Sequence, residues 1–238
     1  MYTLHEPRSR RFEAGLGVAR SIVETQPATP SGGDQAIQVS LGAVEASLVL
    51  GRPVEIAEPI VTRYIEVEPL RLPLLQATLV QTVALCTFAP TPTAERCLSR
   101  IRADLQKGEL GGSVAAGFVD LISGAERYVR RDWAGAARAW RPISHTEMYL
   151  DSPIRHAFAD AFDRTGDSDL ADRVDAPMVA HAGPFGGADL AFVRVARRAS
   201  SRGDRALAAD LARKVVDAWS VADAEVPVVR EMRRMMRR

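Results

Sequence analysis

A chain of 238 residues is long enough for one or two domains, and its 47% hydrophobic content is enough to fill a continuous core. The 31 basic and 30 acidic side chains leave a net charge of +1, which excludes a global attraction to nucleic acid or to an anionic membrane. Arginine supplies nearly all the basic charge, Lys107 and Lys214 being the exceptions, and asparagine is absent; we read this as GC-rich coding bias.

Residues 1–12 read as a linker start without the apolar core of a signal peptide, so export is not expected. A first helix is predicted over 12–25, stopped by Gln26-Pro27 and followed by the Pro/Gly/Ser loop 28–33. This divides the chain into an N-terminal segment, 1–33, and a helical domain, 34–238. Residues 36–50 carry Ile37, Leu41, Val44 and Leu48 at helical spacing and end at Gly51-Arg52-Pro53. The β-branched stretch 60–67 has strand character, but a lone strand has nothing to pair with, and a helix restarted at Pro59 is the reading we adopt.

The run 72–94 carries no charge and is about as long as a membrane span. Pro73, Pro90 and Pro92, with Gln76 and Gln81, interrupt it, so it reads as a buried helix, 73–86, followed by a partner, 94–106, capped by Thr93. Cys86 and Cys97 fall on those two helices in apolar surroundings. They are expected to be buried and reduced, which suits a cytoplasmic protein. Further helices pair as 113–131 with 133–141, 152–164 with 168–181, and 188–201 with 204–219, before a last helix over 225–236. Asp151-Ser152-Pro153 provides a cap and a first-turn proline for one of these, and Pro177 should kink or shorten another. Trp133 and Trp140 lie seven residues apart and are expected to pack as core against the preceding helix.

Three of the predicted boundaries are variants of one segment: Arg131-Asp132-Trp133-Ala134-Gly135-Ala136, Gly166-Asp167-Ser168-Asp169-Leu170-Ala171 and Gly203-Asp204-Arg205-Ala206-Leu207-Ala208. Their spacing of roughly 35 residues is the period of stacked helical hairpins. Glycine before the aspartate suits the left-handed residue that ends one helix, and the aspartate suits the N-cap of the next.

With Gly124 and Ala136, Ala159 and Ala171, and Ala196 and Ala208 at the helix crossings, the hairpins resemble tetratricopeptide repeats. Residues 191–199, 202–206, 216–223 and 226–232, with the ending Trp219-Ser220-Val221-Ala222-Asp223, resemble the repeat-containing C-terminal tails of large bacterial serine/threonine protein kinases and related signalling proteins. The resemblance is firmest over 113–238 and looser over 36–106. It implies a sensory or docking role beside a catalytic domain. The sequence departs from those proteins in two ways. It has no Gly-rich loop, His-Arg-Asp or Asp-Phe-Gly element for phosphotransfer, and without asparagine it cannot build the Lys/Asn clamp of chaperone-binding repeats.

The residues show little catalytic chemistry. His5, His145, His156 and His181 lack metal-ligand spacing, no Gly-x-Ser-x-Gly occurs, and Gly183-Pro184-Phe185-Gly186-Gly187 reads as a tight turn without the Lys-Ser/Thr of a phosphate loop. Arg194, Arg197 and Arg198 are spaced to share one helical face. That face could receive an acidic peptide or phosphate, or form a solvated stripe paired with Asp204, Asp210 or Glu231. Arg230, Arg233, Arg234, Arg237 and Arg238 read as a charged end-cap spread around the last helix.

The sequence therefore leads us to expect an all-α, right-handed superhelix of about five hairpins plus a closing helix. It would act as a non-catalytic interaction or regulatory module without metal or cofactor. A partner peptide or domain, a serine/threonine kinase domain among the candidates, would lie along the concave face, with Tyr128, Arg194, Arg197 and Arg198 as contacts and no role for nucleic acid or membrane. The alternative is a small-ligand sensor controlling an attached kinase or other catalytic domain.

Overall fold

A computed structural model describes residues 17–21, 25, 42–45, 47–49, 51, 54, 58–59, 61–62, 76–107, 116–146, 153–180, 190–219 and 226–237. Every regular element among them is helical, which gives an all-α protein with no strand among the described residues. We number the nine long helices α1 (Gln76–Phe88), α2 (Thr91–Gln106), α3 (Ala116–Val129), α4 (Trp133–Trp140), α5 (Ile154–Arg164), α6 (Ser168–Ala180), α7 (Leu190–Ser201), α8 (Arg205–Trp219) and α9 (Pro227–Met235). Val61 and Thr62 are helical, and the rest of 60–67 lies outside the described residues, as do the 28–33 loop, Asp151-Ser152 and 183–187. Residues 17–21, 42–45 and 47–49 fall within the predicted helices 12–25 and 36–50 and are helical.

The chain divides into two compact units, 1–18 with 45–53 and 175–238, and 19–44 with 54–174. In the second of these, α1 has no polar face, and a helix apolar all round must be buried. Val83, Ala84, Leu85 and Cys86 are indeed 0–1% exposed, because α2, α3 and α5 pack around α1. No described helix is long and apolar enough to cross a membrane. The contact of α1 with α5 reaches beyond the adjacent hairpin, whereas an idealised solenoid repeat touches only its neighbours. Phe118, Leu121 and Ile122 from α3, Trp140 from α4 and Ile154, Phe158 and Phe162 from α5 complete this core.

Two expectations are corrected here. Cys86 and Cys97 are buried but form a disulfide, Cα–Cα 5.9 Å, that staples α1 to α2. The two helices run back from the Ala89-Pro90 corner, which brings their facing turns together, and the argument from reduced cysteines to a cytoplasmic setting loses its basis. Thr93 is not a cap: α2 begins at Thr91, with Pro92 in its first turn and no side-chain cap, and the Thr93 hydroxyl donates instead to Glu58 Oε1 at 3.0 Å.

In the other unit, α7, α8 and α9 bury Phe192, Val193, Leu211, Val215, Trp219, Val229 and Met232 in one cluster, joined by Val49. α6 continues three residues beyond Pro177 without ending there.

The three repeated segments form one hinge, built three times. Arg131, Gly166 and Gly203 take the left-handed conformation, φ +63°, +79° and +82°. At each hinge the aspartate N–H donates to the carbonyl five residues back (Arg127, Phe162 and Ala199, each 2.9 Å). The residue before it donates to the carbonyl three back (Tyr128 2.9 Å, Asp163 3.1 Å, Ser200 3.1 Å). This pair of bonds is the Schellman closure of a helix C-terminus. The same aspartate opens the next helix: Asp132, Asp167 and Asp204 accept through Oδ1 from the N–H of Gly135 (2.9 Å), Leu170 (3.3 Å) and Leu207 (3.1 Å).

Candidate interaction surface

The predicted contact residues do not form one patch. Asp132 caps α4 so that Trp133, its first residue, stays half-exposed beside the end of α3, where Tyr128 lies. The Tyr128 ring meets Trp133 edge-on, centroids 5.0 Å apart, and tilts against Trp140 at 5.6 Å. Trp140 is fully buried against Phe158 at 4.6 Å, so of the two tryptophans only this one is entirely core. From α5, Asp160 accepts from the Tyr128 hydroxyl at 3.0 Å and from Arg164 Nε at 2.7 Å. Arg164 places its guanidinium 4.4 Å from the Trp133 ring centre, a cation–π contact. The hydrogen bond from Arg164 to Asp160 raises the arginine's pKa further above its ordinary value, so the guanidinium stays charged.

Tyr128, Trp133, Asp160 and Arg164 thus form a half-exposed aromatic and charged surface held by α3, α4 and α5. Sequence reasoning found Tyr128 but missed the rest. The signal for Asp160 and Arg164 was their four-residue spacing, and the signal for Trp133 was its place just past a cap, which limits how deeply a large side chain can be buried.

Arg194, Arg197 and Arg198 are sent in two directions. Arg194 and Arg198, one turn apart on α7, turn inward onto Asp175 of α6, whose carboxylate is fully buried. Arg194 forms a two-point ion pair with it, and Arg198 Nη2 donates at 2.7 Å. Arg197 stays half-exposed and grips Glu231 of α9 in a fork of 2.8 and 2.7 Å. That fork holds the Glu231 carboxyl below its ordinary pKa, against the opposing effect of burial. Of the stripe partners foreseen, Asp204, Asp210 and Glu231, it is Glu231 that Arg197 engages. Asp210 binds Lys214 at 3.1 Å.

Arginine–carboxylate pairs cross every described junction between successive hairpins. Arg102 forks onto Glu126 at 2.9 and 2.7 Å, and Arg130 donates to Glu95 at 3.0 Å, both between α2 and the end of α3. Arg141 pairs with Asp167 at the following junction, Arg194 and Arg198 with Asp175 between α6 and α7, and Arg197 with Glu231 between α7 and α9.

His145 is exposed and His156 is buried on α5. Among the described residues no group of three or more His, Cys, Asp or Glu side chains could hold a metal ion. Comparison of the chain with protein families, with curated proteins and with solved structures finds no match.

Proposed function

We propose that this chain is a tetratricopeptide-repeat-like interaction module, a right-handed superhelix of hairpins that binds a partner peptide and performs no catalysis itself. The observation that carries the reading is the hinge: three helix pairs closed by the same hydrogen bonds, with their aspartates 35 and 37 residues apart. Repetition of one supersecondary unit at such a period belongs to helical arrays, which present extended binding surfaces. By its resemblance to kinase tails, the partner belongs to bacterial signalling.

The surface we assign to the partner is the one built on Trp133. Tryptophan, tyrosine and arginine are the residue types in which binding energy concentrates. Here all three are half-exposed, Asp160 holds Tyr128 and Arg164, and these two rest on Trp133, so little conformational freedom is lost on binding. Selection of peptides from a displayed library against the immobilised chain tests this. The expected outcome is a set of binders whose affinity falls by about tenfold or more on Trp133→Ala or Arg164→Ala, with helicity retained. Recovery of no binder, or of binders indifferent to both substitutions, would refute the assignment.

A further inference from the structure

Of the three hinge residues in the left-handed conformation, Gly166 and Gly203 are glycines and the remaining one is Arg131, at φ +63°. A Cβ atom disfavours that conformation, and glycine is the residue that takes it without strain. Arg131 is exposed, its N–H donates to the Tyr128 carbonyl at 2.9 Å, and Trp133 follows two residues later. The arginine is therefore carried on the corner between the two rings of the Trp133 surface. Residues held against their backbone preference concentrate at functional sites, and the hinge that carries the arginine is the one from which Trp133 emerges. The charges around this corner leave a surplus. Arg127 pairs with Asp132 at 3.1 Å and Arg164 with Asp160 at 2.7 Å, while Arg130 reaches away to Glu95 of α2. Arg131 and Arg138 are both exposed and make no ion pair among the described residues. Arg138 is close enough for its charge to act on Asp132, whose carboxyl is held below its ordinary pKa first by the Gly135 N–H and then by Arg127. Arg131 and Arg138 thus leave the corner beside Trp133 positively charged.

We propose that the peptide bound on Trp133 is acidic: an apolar or aromatic side chain lies on the Tyr128–Trp133 pair, and an aspartate or glutamate next to it is gripped by Arg131, with Arg138 adding longer-range attraction. A guanidinium fork on a carboxylate fixes direction as well as affinity, and an aromatic platform beside an arginine joins the residue types in which binding energy concentrates. The chain keeps a strained arginine where glycine would be more stable because that arginine selects the ligand, a loss of stability accepted for function. The inference rests on the assignment of the partner to the Trp133 surface and adds the chemistry of the ligand and the residue that reads it.

The test uses the full chain and a displayed library of random peptides, selected in parallel on the parent and on Arg131→Gly. Recovered peptides are synthesised with a fluorescein label and followed by anisotropy at low and high salt, with an oligo-deoxythymidine as competitor. The expected result is enrichment of aspartate and glutamate beside an apolar or aromatic residue in the parent pool and its loss in the Arg131→Gly pool. Peptides selected on the parent should weaken by about tenfold on Arg131→Gly, by a similar factor when their acidic residue is changed to its amide, and further with salt. The same Arg131→Gly chain should melt higher than the parent, so its lost affinity is not misfolding, and Arg131→Glu should transfer the preference to peptides with lysine or arginine at the same position. Trp133-dependent binders that are not acidic, acidic binders indifferent to Arg131→Gly, a variant that loses stability and affinity together, or displacement of the peptide by the oligonucleotide would overturn the inference. Recovery of no Trp133-dependent binder refutes the Trp133 assignment itself, so the two failures are told apart.

Discussion

The indole of Trp140 lies directly on Gly124, and its Nε1 donates to the Leu121 carbonyl at 3.1 Å. A Cβ at position 124 would overlap the ring, so the crossing of α3 and α4 depends on the absence of a side chain there. Gly124→Ala must displace a fully buried tryptophan that also contacts Tyr128 and Phe158. Helix propensity favours alanine by about 1 kcal/mol, but overpacking a rigid aromatic costs about 1–3 kcal/mol, and the lost indole hydrogen bond adds to it. The expected outcome is a lower midpoint in urea unfolding despite the better helix former.

The hinges give paired predictions of opposite sign. Gly203 sits at φ +82°, where a β-branched side chain is strained, so Gly203→Val should cost well over 1 kcal/mol; Asp204→Ala, losing the cap to Leu207, should cost about 1 kcal/mol. Arg131 already occupies the corresponding conformation at φ +63° without being glycine. Arg131→Gly should therefore stabilise the chain by about 0.5–1 kcal/mol, the left-handed penalty outweighing the glycine's extra unfolded-state entropy. Thermal melts of the three variants check both signs, and a destabilised Arg131→Gly would show that the first hinge is not equivalent to the other two.

These hinges were legible in the sequence because Gly-Asp encodes a local conformation: glycine tolerates positive φ and aspartate caps, whatever lies elsewhere in the chain. The helix boundaries and the small residues at the crossings followed from the same local rules. The candidate surface was less legible. The spacing of Arg194 and Arg198 announces a shared face, but Asp175 lies 19 and 23 residues upstream, and nothing local marks it as buried. Charged residues are so seldom buried that sequence reasoning places such arginines in solvent. The disulfide was missed for the complementary reason, since two cysteines in an apolar run look alike whether thiol or bridged until the turn between their helices is known.

That bridge closes a loop with a sequence separation of 11. Loop-closure entropy for such a length gives about 3 kcal/mol of stabilisation through the unfolded state. Cys86→Ala/Cys97→Ala should lower the unfolding free energy by about this much, plus the cost of two small cavities at fully buried positions. Reductant should reproduce most of the loss in the parent and leave the double variant unmoved. A parent chain whose melt is the same with and without reductant would show that the bridge is not formed.

Acid should loosen the pairs made by Asp132 and Glu231. The bond from Gly135 N–H and then the Arg127 pair lower the Asp132 pKa, and the Arg197 fork lowers that of Glu231. A carboxyl whose pKa is lower folded than unfolded stabilises the fold fully above its ordinary pKa, and that contribution is lost as pH falls through the folded value. The contribution of these two groups should therefore be intact at neutral pH and disappear below about pH 4. Melting temperature against pH should fall in that window, and Glu231→Gln should flatten part of the fall; an unchanged profile would count against the fork.

Arg198 and its neighbour Arg197 separate burial from charge on a single helix. Asp175 is 0% exposed and Arg198 5%, so removing the carboxylate takes the counter-charge from two inward-facing guanidiniums, one of them almost fully buried. Breaking a buried pair in this way costs about 3–5 kcal/mol. The Arg197–Glu231 pair has the same chemistry in a two-point fork, yet its side chains are 48% and 40% exposed, and water replaces what each loses, so its rupture costs under about 1 kcal/mol. Asp175→Ala should accordingly unfold the unit containing α7, α8 and α9 at markedly lower urea than Glu231→Ala does. The triple variant Asp175→Leu/Arg194→Leu/Arg198→Leu should recover much of the loss, because replacing all three charges with apolar groups relieves the desolvation that removing the carboxylate alone exposes. If Asp175→Ala and Glu231→Ala prove equally mild, water reaches Asp175, and the two inward arginines belong to the accessible surface after all.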